Sequence, residues 1–279
     1  MSSGVKLLLV LSLLICGCDS SNNDVLSSGE TKTLHSMVDV PILCNGKPLN
    51  KAVVIFSFGQ SIASNFNEFK YPSNNHIFTI KNGECVVAQD PLPIADGING
   101  SMWMPLGRKI IENGLSKNVL LISIGVGGSS IDRWKSGGNL SQHLKNNLEF
   151  INRLKIPVSL FLWHQGSSDI GTSGDNYINK FMDITKLIRS LGFNAPILVA
   201  IHSQCFNIYD KNIENAQRML GIFHDRGLYE GANTNILDSS FRFDNCHLNK
   251  MGQEKAADLW LNAIKNQDKL LSWLSLNLK

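Results

Sequence analysis

A serine hydroxyl becomes a useful nucleophile when a neighbouring imidazole takes its proton, and the imidazole in turn needs an acceptor on its second nitrogen. The sequence supplies all three groups. Ser61 ends the block Gly59-Gln60-Ser61 behind an apolar run, and Asp244 and His247 share the block Asp244-Asn245-Cys246-His247. At a spacing of three on one turn, a carboxylate and an imidazole can lie side by side. The chemistry this would perform is acyl transfer, which also needs N–H donors where an oxyanion forms. Candidate donors are the backbone N–H of Ser61, a backbone N–H in the Gly127-Gly128 turn, and the side-chain amide of Gln165. No Gly-x-Ser-x-Gly occurs, which argues against the nucleophile elbow of α/β-hydrolases. Each residue also has a plainer role open to it. A serine after a strand commonly caps a helix, an Asp–His pair can be a loop ion pair, and a buried glutamine can tie loops together.

The elements around these residues decide whether they can meet. Val53 to Phe58, Val119 to Ile124, Val158 to Trp163 and Ile197 to Ile201 read as fully buried strands, and a weaker fifth falls near Thr234 to Leu237. Helical periodicity covers 103–114, 140–155, 175–191, 211–224, 249–264 and 267–277. Such alternation predicts a parallel sheet with helices on both faces. In sheets of this kind functional groups gather beyond the carboxyl ends of the strands. Strand one runs into Gly59-Gln60-Ser61, strand two into Gly125-Val126-Gly127-Gly128-Ser129-Ser130, and strand three into His164-Gln165-Gly166-Ser167-Ser168-Asp169. Residues 62–102 interrupt the alternation, and Asn82-Gly83 between two short apolar runs predicts a hairpin, placed as an insertion after the first strand.

Taken in order, these four blocks resemble the SGNH hydrolase superfamily and, within it, the sialate O-acetylesterase-like carbohydrate esterases, over about residues 50–265. Gly59-Gln60-Ser61 is similar to the nucleophile block and Gly127-Gly128-Ser129-Ser130-Ile131 to the glycine turn. Trp163-His164-Gln165-Gly166 is similar to the W-x-Q-G block and Asp244 to His247 to the D-x-x-H block. The resemblance implies a three-layer α/β/α sandwich on a flavodoxin-like, five-stranded parallel sheet, no metal or other cofactor, and removal of acetyl groups from a sugar. It implies Ser61, Asp244 and His247 as catalytic residues and Ser61, Gly128 and Gln165 as the oxyanion hole. Two positions depart from the pattern: Ser167 stands where a glutamate is expected and Ile62 where an asparagine is expected. Neither belongs to the triad, so altered specificity or rate is expected rather than a dead enzyme. Trp103, Trp134 and Asp169 are further candidates for contact with a sugar.

Composition narrows the partners. With 26 Lys+Arg against 23 Asp+Glu the formal charge is only +3, no footprint for nucleic acid. Lys6 and the apolar stretch Leu7 to Ile15 are too short to span a bilayer, and Ile15-Cys16-Gly17-Cys18 resembles the lipobox of bacterial lipoproteins. The expectation is a signal peptide over 1–17, lipid on Cys18, a polar tether over 18–34 and an esterase domain over 35–279. Asp19 resembles the enterobacterial signal for retention, which would hold the domain at the periplasmic face of the inner membrane. An exported chain permits disulfides. Cys205 and Cys246 fall on the same rim of the expected sheet and are expected to pair, leaving Cys44 and Cys85 as a second pair or as buried thiols. No C-x-x-C or H-E-x-x-H spacing points to a metal.

Two other functions fit the same sequence: a catalytically silent carbohydrate-binding lipoprotein, suggested by Ser167, and a lipid or short-chain esterase, suggested by the membrane tether.

Overall fold

A computed structural model describes residues 43, 44, 46–49 and 51–277. The signal peptide, the tether, Cys18 and the expected start of the domain at 35 lie outside the described residues.

The described residues open with two short strands, β1 (Leu43–Cys44) and β2 (Lys47–Pro48), followed by the long strand β3 (Ala52–Gly59). A hairpin of β4 (Ile77–Lys81) and β5 (Glu84–Val87) comes next, then α1 (Trp103–Glu112) and β6 (Asn118–Ser123). Beyond these lie α2 (Ile131–Trp134), α3 (Ser141–Arg153), β7 (Leu160–His164), α4 (Gly174–Ser190), β8 (Ile197–Ile201) and α5 (Lys211–Gly221). The described chain finishes with β9 (Leu228–Asn233), α6 (Lys250–Lys265) and α7 (Asp268–Asn277).

The nine strands among the described residues join one sheet in the order β2-β1-β5-β4-β6-β3-β7-β8-β9. The stretch β6-β3-β7-β8-β9 is the flavodoxin-like parallel order, with β3 first in sequence and flanked on both sides by later strands. Its register runs from Ala52 beside Asn118 to Ser57 beside Ser123 on one edge, and from Ile55 beside Leu160 to Gly59 beside His164 on the other. The sheet is thus larger than the five strands expected. The hairpin does not stand apart: β4 pairs parallel with β6, and β5 and β1 extend the edge beyond it. Its apolar residues Ile77, Phe78 and Ile80 are buried, so joining the sheet satisfies both their surface and their backbone. The fifth core strand lies at Leu228–Asn233 rather than at Thr234 to Leu237, where a tight turn begins. The strand reads Leu-Tyr-Glu-Gly-Ala-Asn, without a β-branched residue, so local propensity hid it.

Alternation along β3 explains the layers. Val54, Phe56 and Phe58 face a core completed by Trp134 of α2, Leu144 and Leu148 of α3, Phe181 and Ile184 of α4 and Leu220 of α5. Val53 and Ile55 face the other core, closed by Trp103 and Leu106 of α1, Trp260 and Ile264 of α6 and Leu270 of α7. Helices therefore cover both faces, and burial of each large side chain contributes roughly 1.5–3 kcal/mol relative to exposure. Two disulfides are present among the described residues. Cys44–Cys85 ties β1 to its neighbour β5, and Cys205–Cys246 joins the loop after β8 to the loop before α6. Among the described residues no helix is long and apolar enough to cross a membrane.

Candidate active site

The carboxyl end of β3 approaches its neighbour so closely that a side chain at Gly59 would overlap the His164 carbonyl of β7, and φ there is 135°. Only glycine fits. The chain then turns, Gln60 N donating to the His164 carbonyl at 3.1 Å, and Ser61 opens a short 3-10 turn. This is the point where strand order reverses, the crevice in which such sheets bind ligands.

Ser61 Oγ lies 2.9 Å from His247 Nε2, and His247 Nδ1 lies 2.7 Å from Asp244 Oδ2. The second carboxylate oxygen accepts the backbone N–H groups of Cys246 at 2.9 Å and His247 at 2.6 Å. Burial pushes the Asp244 carboxyl up, but the bonds from the His247 ring and from these two N–H groups outweigh it and hold it below the usual carboxylate range. An ionised Asp244 fixes the imidazole tautomer: Nδ1–H donates to the carboxylate and the Nε2 lone pair faces the serine. The ring is held flat as well, stacked on Phe66 at 5.7 Å between centroids and flanked by Phe243 at 6.1 Å.

Arg242 fastens this loop from behind. It is buried, and its guanidinium donates to the carbonyls of Leu237, Thr234 and Cys246. Across the rim, Cys205 and Ile208 close a two-residue turn, with Phe206 and Asn207 both at positive φ. The disulfide and a bond from Phe206 N to the Asn245 carbonyl join that turn to the histidine loop. No single-sequence signal marked Arg242 or Phe206, because both depend on contacts across the sheet end.

Ser61 and His247 open on a cavity of about 520 Å³ that is also lined by Gln60, Gly128, Ser167 and Phe206. The backbone N–H groups of Ser61 and Gly128 take no partner among the described residues, and both residues line the cavity. Cavities of similar size occur at the amino ends of the strands, beside Arg189 and Gly227 and beside Lys51 and His76, away from the serine. Among the described residues no three His, Cys, Asp or Glu side chains converge as a metal site.

Four sequence expectations are corrected. An oxyanion donor must present an N–H to the cavity, and Gln165 is fully buried and does not line it. Its amide instead donates to the Ser129 carbonyl at 3.2 Å and to Asp169 Oδ2, while Tyr177 Oη lies 3.0 Å from its carbonyl oxygen. Asp169 is no sugar contact either. It is 4% exposed and accepts Ile131 N at 2.8 Å, tying the glycine turn to the loop after β7. Burial pushes its carboxyl up despite the bonds from Ile131 and Gln165. Trp103 and Trp134 are fully buried core residues whose indole N–H groups bond the Ala63 carbonyl at 2.7 Å and Ser129 Oγ at 2.8 Å.

Gln60 is the residue whose part was missed. Its carbonyl oxygen accepts Gly166 N at 2.9 Å and Ser168 N at 3.2 Å, and its amide donates to Ser167 Oγ at 2.6 Å. The departure at Ser167 therefore still offers Gln60 an acceptor. Ile62, the other departure, packs in the core beneath.

A family model described as "carbohydrate esterase, sialic acid-specific acetylesterase" matches residues 59–265. Among solved structures, a protein from Arabidopsis thaliana superposes with a TM-score of 0.61 at 16% identity, over 79% of this chain and 98% of that one. A family 3 carbohydrate esterase from Clostridium thermocellum superposes with a TM-score of 0.52 at 14% identity, over 79% and 98%. At such identities these likenesses show the fold. No curated protein matches the chain in sequence.

Proposed function

The chain belongs to the sialic acid-specific acetylesterase family of carbohydrate esterases, and from that membership we propose that it removes O-acetyl groups from a carbohydrate by a Ser61–His247–Asp244 mechanism. The observation that carries this reading is the unbroken chain of short contacts from Asp244 through His247 to a serine hydroxyl at a cavity wall.

In this reading Ser61 Oγ attacks the acetyl carbonyl while His247 Nε2 takes the hydroxyl proton. The negative charge on the carbonyl oxygen is met by the N–H groups of Ser61 and Gly128, and Asp244 stabilises the imidazolium. Collapse breaks the bond to the sugar oxygen, which leaves with the proton from His247. The acetyl group now sits on Ser61. A water, deprotonated by His247, attacks it through the same oxyanion site, releasing acetate and restoring the serine.

A silent sugar-binding lipoprotein is the reading that Ser167 favours, and turnover separates the two. Release of acetate from an O-acetylated glycan, lost in Ser61→Ala, supports the esterase. Absence of hydrolysis by wild-type protein on a panel of acetylated sugars and on p-nitrophenyl acetate would sink it. For location we propose a lipid anchor at Cys18, on the strength of the sequence Ile15-Cys16-Gly17-Cys18. Unchanged mass and membrane fractionation of Cys18→Ser would contradict the anchor.

A further inference from the structure

The charges around the cavity bear on which sugar ester it takes. Among the described residues no lysine or arginine lines it, and Asp96 is the carboxylate in its lining. Arg242, the cation behind the histidine loop, spends its donors on three backbone carbonyls and is not a lining residue. The carboxylates, by contrast, gather there. Asp244 stands behind His247, and Asp210 accepts Gly171 N at 2.7 Å next to the lining residue Ile170.

Asp96 is fixed in place. Its Oδ2 accepts Gly127 N at 3.0 Å and its Oδ1 accepts Gly97 N at 2.9 Å. Its backbone N–H and carbonyl are bonded to Gly125 and Asn65 at 2.9 Å each. A negative charge is thus pinned beside Gly128, on the wall where the acyl group must sit, while its residue stays exposed to the cleft. The rest of the lining is largely apolar, with Phe66, Ile170, Phe206 and Ile208, and Phe206 is 63% exposed on its rigid turn. Such a wall suits the apolar face of a sugar ring. It offers no cation to a carboxylate.

Resting on the esterase reading, we propose that Asp96 is a specificity-determining residue that selects uncharged sugar esters and disfavours anionic ones, O-acetylated sialic acids among them. An anionic substrate would lose its hydration beside a fixed like charge with no cation to replace it, a combination that penalises binding and transition state together. A neutral acetylated pyranoside meets no such penalty.

The test uses matched esters: a methyl O-acetyl-hexopyranoside, the uronate with the acetyl group at the same position, and an O-acetylated N-acetylneuraminate. For wild-type protein kcat/KM on the neutral ester should exceed that on the uronate by roughly tenfold at low salt, and the gap should narrow as salt screens the carboxylate. Asp96→Asn retains a carbonyl oxygen for the Gly127 N–H, so the contact to the glycine turn is kept while the charge and the bond from Gly97 N are removed. In that variant the neutral-to-anionic ratio should fall about fivefold. Equal wild-type turnover of neutral and anionic esters, or an unchanged ratio in Asp96→Asn, would overturn the assignment of Asp96. Hydrolysis of p-nitrophenyl acetate that is absent, or that survives in Ser61→Ala, would instead overturn the esterase reading itself.

Discussion

Two polar regions built from the same residue types lie at the carboxyl end of the sheet, and they have opposite characters. At the cleft, Asp244 is hydrogen-bonded by an imidazole and two backbone N–H groups and is held below the ordinary carboxylate range. In the buried layer, Asp169 is bonded by Gln165, which is itself held by Tyr177 and Gln217, and is pushed up by burial. The histidines divide the same way. His247 reaches a serine at a cavity wall, whereas His164 and His202 share Thr234 in the core, and burial brings His164 down to about 3. The difference teaches that residue type does not make a site. A group can do chemistry when one of its hydrogen-bonding positions is left facing a cavity. Gln165 and Gln217 have theirs spent on Ser129, Asp169, Tyr177, the Gln165 carbonyl and His202, so they hold loops in place.

The contrast breaks most visibly on removal of cleft residues. Ser61→Ala and His247→Ala should each lower kcat on an acetyl ester by roughly 10³-fold or more, with the double variant little worse, because the groups act as one unit. Thermal stability should change little, and near wild-type turnover in either variant would end the triad assignment. Next in size is the clamp on the histidine loop. Cys205 and Cys246 are 41 residues apart in sequence, and closing a loop of that length contributes about 4 kcal/mol in the chain-entropy model. Cys205→Ser/Cys246→Ser should therefore unfold at lower denaturant than wild type, and an unchanged midpoint would remove the disulfide from the account of stability.

A smaller effect is expected in the buried layer. Gln165→Ala leaves Asp169 and Tyr177 short of a partner and should cost roughly 1–3 kcal/mol of stability. A 10²-fold or greater loss of kcat at unchanged stability, read by melting beside steady-state kinetics, would return Gln165 to the oxyanion hole. Smallest and sharpest is a crossed pH dependence. The depressed Asp244 contributes stability above its unfolded pKa, lost as pH falls through the folded value, so Asp244→Asn should approach wild type toward acid. The raised Asp169 behaves oppositely: the folded state binds the extra proton, and wild type loses stability as pH rises from the ordinary carboxylate value to the raised one. Asp169→Asn should therefore gain on wild type with rising pH, and melting from about pH 3 to 8 should show the two variants diverging in opposite senses. Parallel pH profiles would dissolve the contrast.

What the sequence determined by itself was local or periodic. The i,i+3 spacing of Asp244 and His247 fits carboxylate and imidazole onto one turn wherever that turn lies. The apolar runs ending in Gly59-Gln60-Ser61 and His164-Gln165-Gly166 place those blocks at strand ends, since β-α alternation leaves little choice of sheet. Cys205 and Cys246 could be paired from the same rim argument. What tertiary structure alone decided was direction and burial. Whether the Gln165 amide faced the cavity depended on Ser129, Asp169 and Tyr177, which arrive from other segments. Trp103 and Trp134 turned inward because α1 and α2 pack on opposite faces of the sheet. The hairpin joined that sheet through pairing of β4 with β6. Asp96 faces Gly127 only because the insertion folds back over the end of β3. Each outcome rests on contacts between residues far apart in the chain, and a side chain's free hydrogen-bonding positions are fixed only once those distant partners are in place.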